Sequence, residues 1–96
     1  MYQMNNSIKN QGFNELQVSK LNNGHAETLL ITLERGALFP EHTSPRDANL
    51  TVLKGGVKFY INSVVFHLKR YLDFKFPKEA PHWVEALENS KFLIIR

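Results

Sequence analysis

From Thr28 onward, short apolar runs alternate with polar residues, and little of the chain has the 3.6-residue period of a helix. Leu29 to Glu34 (LLITLE) predicts a strand closed by the turn Arg35-Gly36. Leu50 to Leu53 and Val57 to Ile61 flank Gly55-Gly56, a place for a kink or tight turn. Asn62-Ser63 separates VKFYI from Val64 to Leu68 (VVFHL), which fits a two-residue hairpin without its usual glycine. Leu72 to Phe76, His82 to Ala86 and Phe92 to Ile95 complete about seven or eight strands, punctuated by Pro77 and Pro81. Strands at this spacing predict an all-β closed barrel or double sheet.

The same alternation assigns faces, because successive side chains on a strand point to opposite sides. Val57, Phe59 and Ile61 fall on one side, with Lys58 and Tyr60 opposite. Val64, Phe66 and Leu68 are expected inward, and Val65 and His67 outward. In HWVEA, His82, Val84 and Ala86 point in, while Trp83 and Glu85 point out. His82 is thereby expected inside the barrel, in apolar company that lowers the pKa of an imidazole.

Residues 1–27 are less determined. Phe13, Leu16, Val18 and Leu21 suit a strand or a short helix, and Asn22-Asn23-Gly24 reads as a turn. The segment is expected to be an edge strand that covers the barrel or pairs with a second subunit, its first ten residues frayed. The domain division is then 1–27 for this segment and 28–96 for the barrel.

Length and composition narrow the chemistry. Ninety-six residues support one small core, which buries about two-thirds of the surface the unfolded chain exposes. The chain has no cysteine, which removes thiolate nucleophiles, disulfides and Cys-based zinc sites. Histidine and carboxylate are left as metal ligands. The net charge of +3 resolves into four Lys/Arg against five Asp/Glu up to residue 50 and eight against four after it. Those cations are scattered along strands, never more than two together, which describes a solvated sheet face and no nucleic-acid surface. The Asn- and Gln-rich start has no apolar segment of a signal peptide, and no stretch approaches the roughly 18 residues of a membrane span. A cytoplasmic location without membrane partners is expected.

Two stretches carry the most information: Gly36 to Gly56 (GALFPEHTSPRDANLTVLKGG) and Phe76 to Ala86 (FPKEAPHWVEA). Gly36 is followed by His42, the run Val52-Leu53-Lys54-Gly55 closes the first stretch, and Pro77 and His82 are five apart in the second. In these spacings residues 28–96, about seventy per cent of the chain, resemble the cupin superfamily of small jelly-roll barrels. That family's first motif is G-x5-H-x-H-x(3 or 4)-E-x6-G and its second is G-x5-P-x-G-x2-H-x3-N. The resemblance implies a single-domain cupin-like (RmlC-like) jelly roll, with a metal site made by both histidines and the carboxylate of the first motif and the histidine of the second.

Departures from the pattern fall on the ligands. The second histidine position is Ser44, and the carboxylate position is Ala48 if Gly55 ends the motif or Asn49 if Gly56 does. Tyr71 and Glu79 occupy the second motif's glycine positions, and Ala86 its asparagine. His42 and His82 alone remain, whereas a stable zinc, manganese or iron site needs three or more protein ligands. Glu41 neighbours His42 and faces the other way, Asp47 sits in a turn, and His67 lies on the outward face. No bound metal is therefore expected. The alternative is a divalent cation such as Zn, Mn, Fe or Ni on His42, His82 and an outside ligand.

His42, Ser44, Asn49 and His82 are the expected ligand-binding residues, a polar patch in an apolar barrel mouth. An inert pair of core histidines explains the same residues equally well. Ser44 beside two histidines suggests a nucleophile, but no G-x-S-x-G elbow surrounds it, so no catalytic residue is assigned. Trp83, the single tryptophan, points outward, either packing on the amino-terminal segment or forming a homodimer surface with Tyr60 and Tyr71. The expected function is non-catalytic: binding of a small molecule in the barrel mouth, or action as a dimeric module. The alternative is a metal-dependent enzyme, a dioxygenase or isomerase with an incomplete centre.

Overall fold

The computed structural model describes residues 2–23 and 26–96, with side chains described outside 22–25, so Gly24 of the expected turn lies outside the described residues. The described residues form nine strands: β1 (Leu16–Asn23), β2 (Ala26–Leu33), β3 (Leu38–His42), β4 (Ala48–Lys54), β5 (Gly56–Ile61), β6 (Val64–Lys69), β7 (Asp73–Phe76), β8 (His82–Ala86) and β9 (Ser90–Ile95). They make two antiparallel sheets, a large one ordered β1-β2-β9-β4-β7 and a small one ordered β3-β8-β5-β6. Neighbours in the sheets are mostly distant in sequence, and this two-layer arrangement is a jelly roll. Among the described residues no helix is long and apolar enough to cross a membrane.

Alternation places the core. Across the large sheet the register aligns Leu29, Ile94, Leu50 and Phe74 in one row, and Ile31, Phe92 and Val52 in the next. The small sheet answers with Phe39, Val84, Phe59 and Phe66, and with Ala86, Val57 and Leu68. Phe59 and Phe92 are wholly buried between the layers. Each such side chain contributes roughly 1.5–3 kcal/mol by leaving water.

One strand departs from the sequence reading: β3 forms although its LFPEH lacks alternation, whereas β1 is an edge strand of the large sheet, within the segment for which an edge strand is expected. β1 pairs along its length with β2, and its inward-facing Val18 is 48% exposed because the five-stranded sheet overhangs the four-stranded one. Val64 and Phe66 take the inward face expected of them but are not covered by a second layer. Leu68 is buried, but Val64 is 48% and Phe66 38% exposed, because β6 is an edge strand opposite the four-residue edge strand β7.

The amino-terminal segment lies over the outer face of the large sheet. A four-residue helix, α1 (Ser7–Asn10), precedes Gln11, whose Nε2 donates to Thr32 Oγ1 at 3.1 Å and to the Leu30 carbonyl at 3.3 Å. Thr32 Oγ1 donates in turn to the Gly12 carbonyl at 2.9 Å, and Phe13 lies beneath Lys54 and Lys91. This cover explains why Leu30 and Thr32, which face away from the core, are completely buried. Before it, Tyr2 and Met4 extend fully into solvent.

Candidate functional site at the barrel mouth

A β-bulge brings the two histidines together. Phe39 opposes Val84 and His42 opposes His82, so β3 spends three steps where β8 spends two. Without the extra residue His42 would face solvent, since it lies an odd number of positions from inward-facing Phe39. The bulge turns it back inside. Pro40 sits within it, on an edge strand where its missing N–H costs no ladder bond.

Both imidazoles are held alike. His42 Nδ1 donates to the Pro40 carbonyl at 2.7 Å and His82 Nδ1 to the Ala80 carbonyl at 2.8 Å, in each case two residues back. A carbonyl only accepts, so in the neutral ring the proton is on Nδ1 and Nε2 is a free acceptor. The rings meet edge to face, with centroids 4.2 Å apart. Phe39 stacks on His42 at 4.2 Å, while Phe59 lies parallel to His82 at 5.2 Å and Phe76 meets it edge-on at 4.7 Å.

His82 is 1% exposed, and burial lowers its pKa below the ordinary 6.5, outweighing the Ala80 hydrogen bond that favours the cation; His42 and Arg96 add to the lowering. It is neutral at pH 7. Among the described residues no buried side-chain nitrogen or oxygen lacks a hydrogen-bond partner, and His82 bonds only through Nδ1. Its Nε2 therefore reaches solvent-accessible space.

The other expected residues do not join the pair. Ser44 is buried, but its hydroxyl donates to the Arg46 carbonyl at 2.6 Å and receives Arg46 N–H and Arg96 Nη1 at 3.4 and 3.5 Å. It stabilises the loop before β4. Asn49 is placed on the outer face of β4, where its Nδ2 donates to Asp73 Oδ1 at 2.8 Å. Its expected place in the pocket is corrected by strand parity, because Ala48 and Leu50 are its inward neighbours.

Backbone conformation settles which residue stands at the motif's carboxylate position. Gly36 and Gly55 have φ of +80° and +79°, and Tyr71 and Glu79, at the second motif's glycine positions, have +77° and +64°. All four are left-handed, as the glycine pattern requires. A Cβ on Gly55 would come within 2.5 Å of the Asn89 carbonyl, whereas Gly56 has room and no positive φ. Gly55 is therefore the motif glycine, and Ala48 is the residue at the carboxylate position.

Whether a metal fits can then be judged from the donors. Ala48 has none, the Ser44 hydroxyl is committed to the loop, and among the described residues no cluster of three His, Asp or Glu could hold an ion. The site does not fit the metal that the family pattern implies. Sequence reasoning missed Arg96 and Glu27 at the rim, where Arg96 Nε and Glu27 Oε1 form an ion pair at 2.5 Å. Their hydrogen bond is the chief reason the Glu27 carboxyl stays below its ordinary pKa. Only the pairing of β2 with β9 brings the two together.

Comparison with solved structures decides the architecture. An RmlC-like cupin protein from Desulfovibrio desulfuricans superposes with a TM-score of 0.85 over 99% of this chain and 95% of its own, at 20% identity. The fold is that of the cupins. A cupin 2 conserved barrel domain protein from Leptotrichia buccalis shares 29% identity at a TM-score of 0.76, over 84% of this chain and 40% of that one. A conserved protein of unknown function from Streptococcus pyogenes aligns at 21% identity and a TM-score of 0.78, covering 88% of this chain and 76% of its own. No protein-family model matches the chain, and no curated protein matches it. The cupin barrel is thus shared while the role is not carried over, since one fold hosts many functions.

Proposed function

We propose that this cupin is a non-catalytic cytoplasmic protein that binds a small, flat, hydrogen-bond-donating molecule at the His42–His82 pair. One observation carries the reading: two imidazoles oriented by backbone carbonyls through Nδ1, meeting edge to face and backed by Phe39, Phe59 and Phe76. An apolar surround with a few fixed polar atoms is the usual composition of a small-ligand site. A neutral Nε2 lone pair accepts a hydrogen bond from a hydroxyl or N–H donor.

Phenol, an aromatic ring with one O–H donor, is a direct probe. Titration followed through the histidine side-chain ¹⁵N resonances is expected to shift Nε2 of His42 and His82 saturably, and His82→Phe is expected to abolish the response. Unmoved histidine resonances would count against the reading. One Zn, Mn, Fe or Ni bound per untagged chain at sub-micromolar affinity, lost in His42→Ala and His82→Ala, would replace it with the metal-dependent enzyme.

A second reading is self-association through the outer face of the small sheet. There Trp83 stacks on Tyr60 with centroids 3.6 Å apart and planes within 4°, flanked by Val65 at 45% exposure. Tyr71 does not join this patch, because it lies in the turn between β6 and β7, hydrogen-bonded through its N–H to Val52. Trp83 also lies on the other layer from the sheet that the amino-terminal segment covers, so the expected packing between them is not made. Sedimentation should show a dimer that Trp83→Ala converts to a monomer; a monomer in both removes this reading.

A further inference from the structure

The outer face of the small sheet is divided by charge. Parity puts Trp83 and Glu85 on the outside of β8, Lys58 and Tyr60 on the outside of β5, and Val65, His67 and Lys69 on the outside of β6. Glu41 of β3 borders the same hollow of about 310 Å³ as Trp83, Tyr60 and Val65. The sheet order is β3-β8-β5-β6, so the carboxylates Glu41 and Glu85 occupy one half of the face and Lys58 and Lys69 the other. Between the halves, at the centre of the sheet, lies the Trp83 and Tyr60 stack.

These charges are not used up within the chain. Lys58 stands opposite Glu85 in register, yet among the described residues ion pairs are made only by Lys20 and Arg96 with Glu27. The Glu85 carboxylate accepts the Tyr60 hydroxyl at 3.4 Å, a long bond that leaves its charge unmatched.

A second copy matches this pattern in one orientation. Two identical faces packed on each other by a two-fold rotation have the axis lying in the plane between them. If that axis runs along the strands between β8 and β5, each strand meets one from the opposite half: β8 of one copy lies on β5 of the other, and β3 on β6. Trp83 then meets Tyr60, and Glu85 meets Lys58, each twice. An axis across the strands instead sets β5 on β5 and β8 on β8, with like charges gathered on each half. Such juxtaposition is costly and suppresses the wrong arrangement.

We infer that the protein forms a face-to-face dimer with β8 of each copy on β5 of the other, its orientation selected by two Lys58 to Glu85 pairs between copies. The inference rests on the self-association reading above and adds the orientation of the second copy and the charges that set it.

Sedimentation of the full chain at low salt tests it. Lys58→Glu and Glu85→Lys, each at a partly exposed position, are each expected to raise the dimer Kd about tenfold or more, because either one places like charges at both contacts. An equimolar mixture of the two variants should recover a dimer close to wild-type strength, since both contacts of the mixed pair join opposite signs. Within each variant the two residues stay alike in charge, so recovery comes only from contacts between copies and also shows that both variants are folded. A dimer that Trp83→Ala dissociates but neither charge reversal weakens keeps the self-association reading and overturns the orientation. A mixture that stays monomeric also overturns it. A wild type that is monomeric at every concentration removes both.

Discussion

At the closed end of the barrel, Gly55 sits against Asn89 and Ser90, and the buried Ser90 hydroxyl bridges the N–H and carbonyl of Gly56 at 3.1 and 3.0 Å. At the mouth the corresponding frame is intact: the bulge aims His42, the left-handed residue Glu79 shapes the loop before His82, and the Glu79 N–H is bonded to the Ser44 carbonyl at 2.8 Å. What differs is the chemistry attached to the frame. The closed end keeps both its backbone geometry and the side chains that depend on it, whereas the mouth keeps the geometry with Ser44 and Ala48 at positions where the family pattern has a histidine and a carboxylate. The motif therefore specifies two separable things, a set of turns and a set of ligands, and this chain has mainly the first.

If the closed end is the rigid partner in this comparison, disturbing it should have the largest effect. Gly55→Ala adds a Cβ 2.5 Å from a backbone carbonyl and 2.9 Å from the Ser90 Cα, neither of which is the end of a flexible side chain. With the left-handed penalty included, a loss of about 3 kcal/mol or more is expected in urea unfolding. Gly36→Ala, with the same sign of φ but nothing within 4 Å, should cost about 1–2 kcal/mol. Equal losses at the two positions would remove the distinction between a packed closed end and an open turn.

The mouth should answer to pH instead. His82 has its pKa lowered in the fold, so between the unfolded value near 6.5 and the folded value the unfolded chain binds more protons. Its contribution is present above pH 6.5 and is lost as pH falls toward the folded pKa. The groups that bear on it are His42, whose positive form repels it, Arg96, and the apolar rings of Phe59 and Phe76. His82→Phe keeps a ring in the cluster and removes the titration. Unfolding free energies at pH 7.5 and 5.5 should fall further in the wild type than in this variant. The gap is held to about 1 kcal/mol or less by solvent contact at Nε2. Parallel profiles would show that His82 is not desolvated.

The two regions also differ in how much could be read beforehand. Alternation in VKFYI and HWVEA gave the inward rows, and His82 with them, because a strand's two faces are a local property. His42 came from motif spacing alone; the bulge that aims it depends on pairing with β8. Ala48 and Asn49 compete for the carboxylate position in the sequence because two adjacent glycines are indistinguishable until their φ angles are known. The exposure of Val64 and Phe66 was illegible for the same physical reason. Their alternation is local, but whether another layer covers them depends on which strands end each sheet.

The smallest expected effect tests whether the frame at the mouth is inherited geometry or a need of this particular sequence. Glu79 is exposed and holds φ at +64°, a conformation that penalises a side chain and suits glycine. Its N–H bond to Ser44 is a backbone bond and survives substitution. Glu79→Gly should therefore relieve strain, offset in part by the greater entropy of glycine in the unfolded chain, and leave a net gain of about 0.5–1 kcal/mol. A loss of stability would mean that the Glu79 side chain supports the loop in a way its exposed position does not suggest. A gain, with the histidine resonances unmoved, would show that the turn persists without any ligand chemistry requiring it.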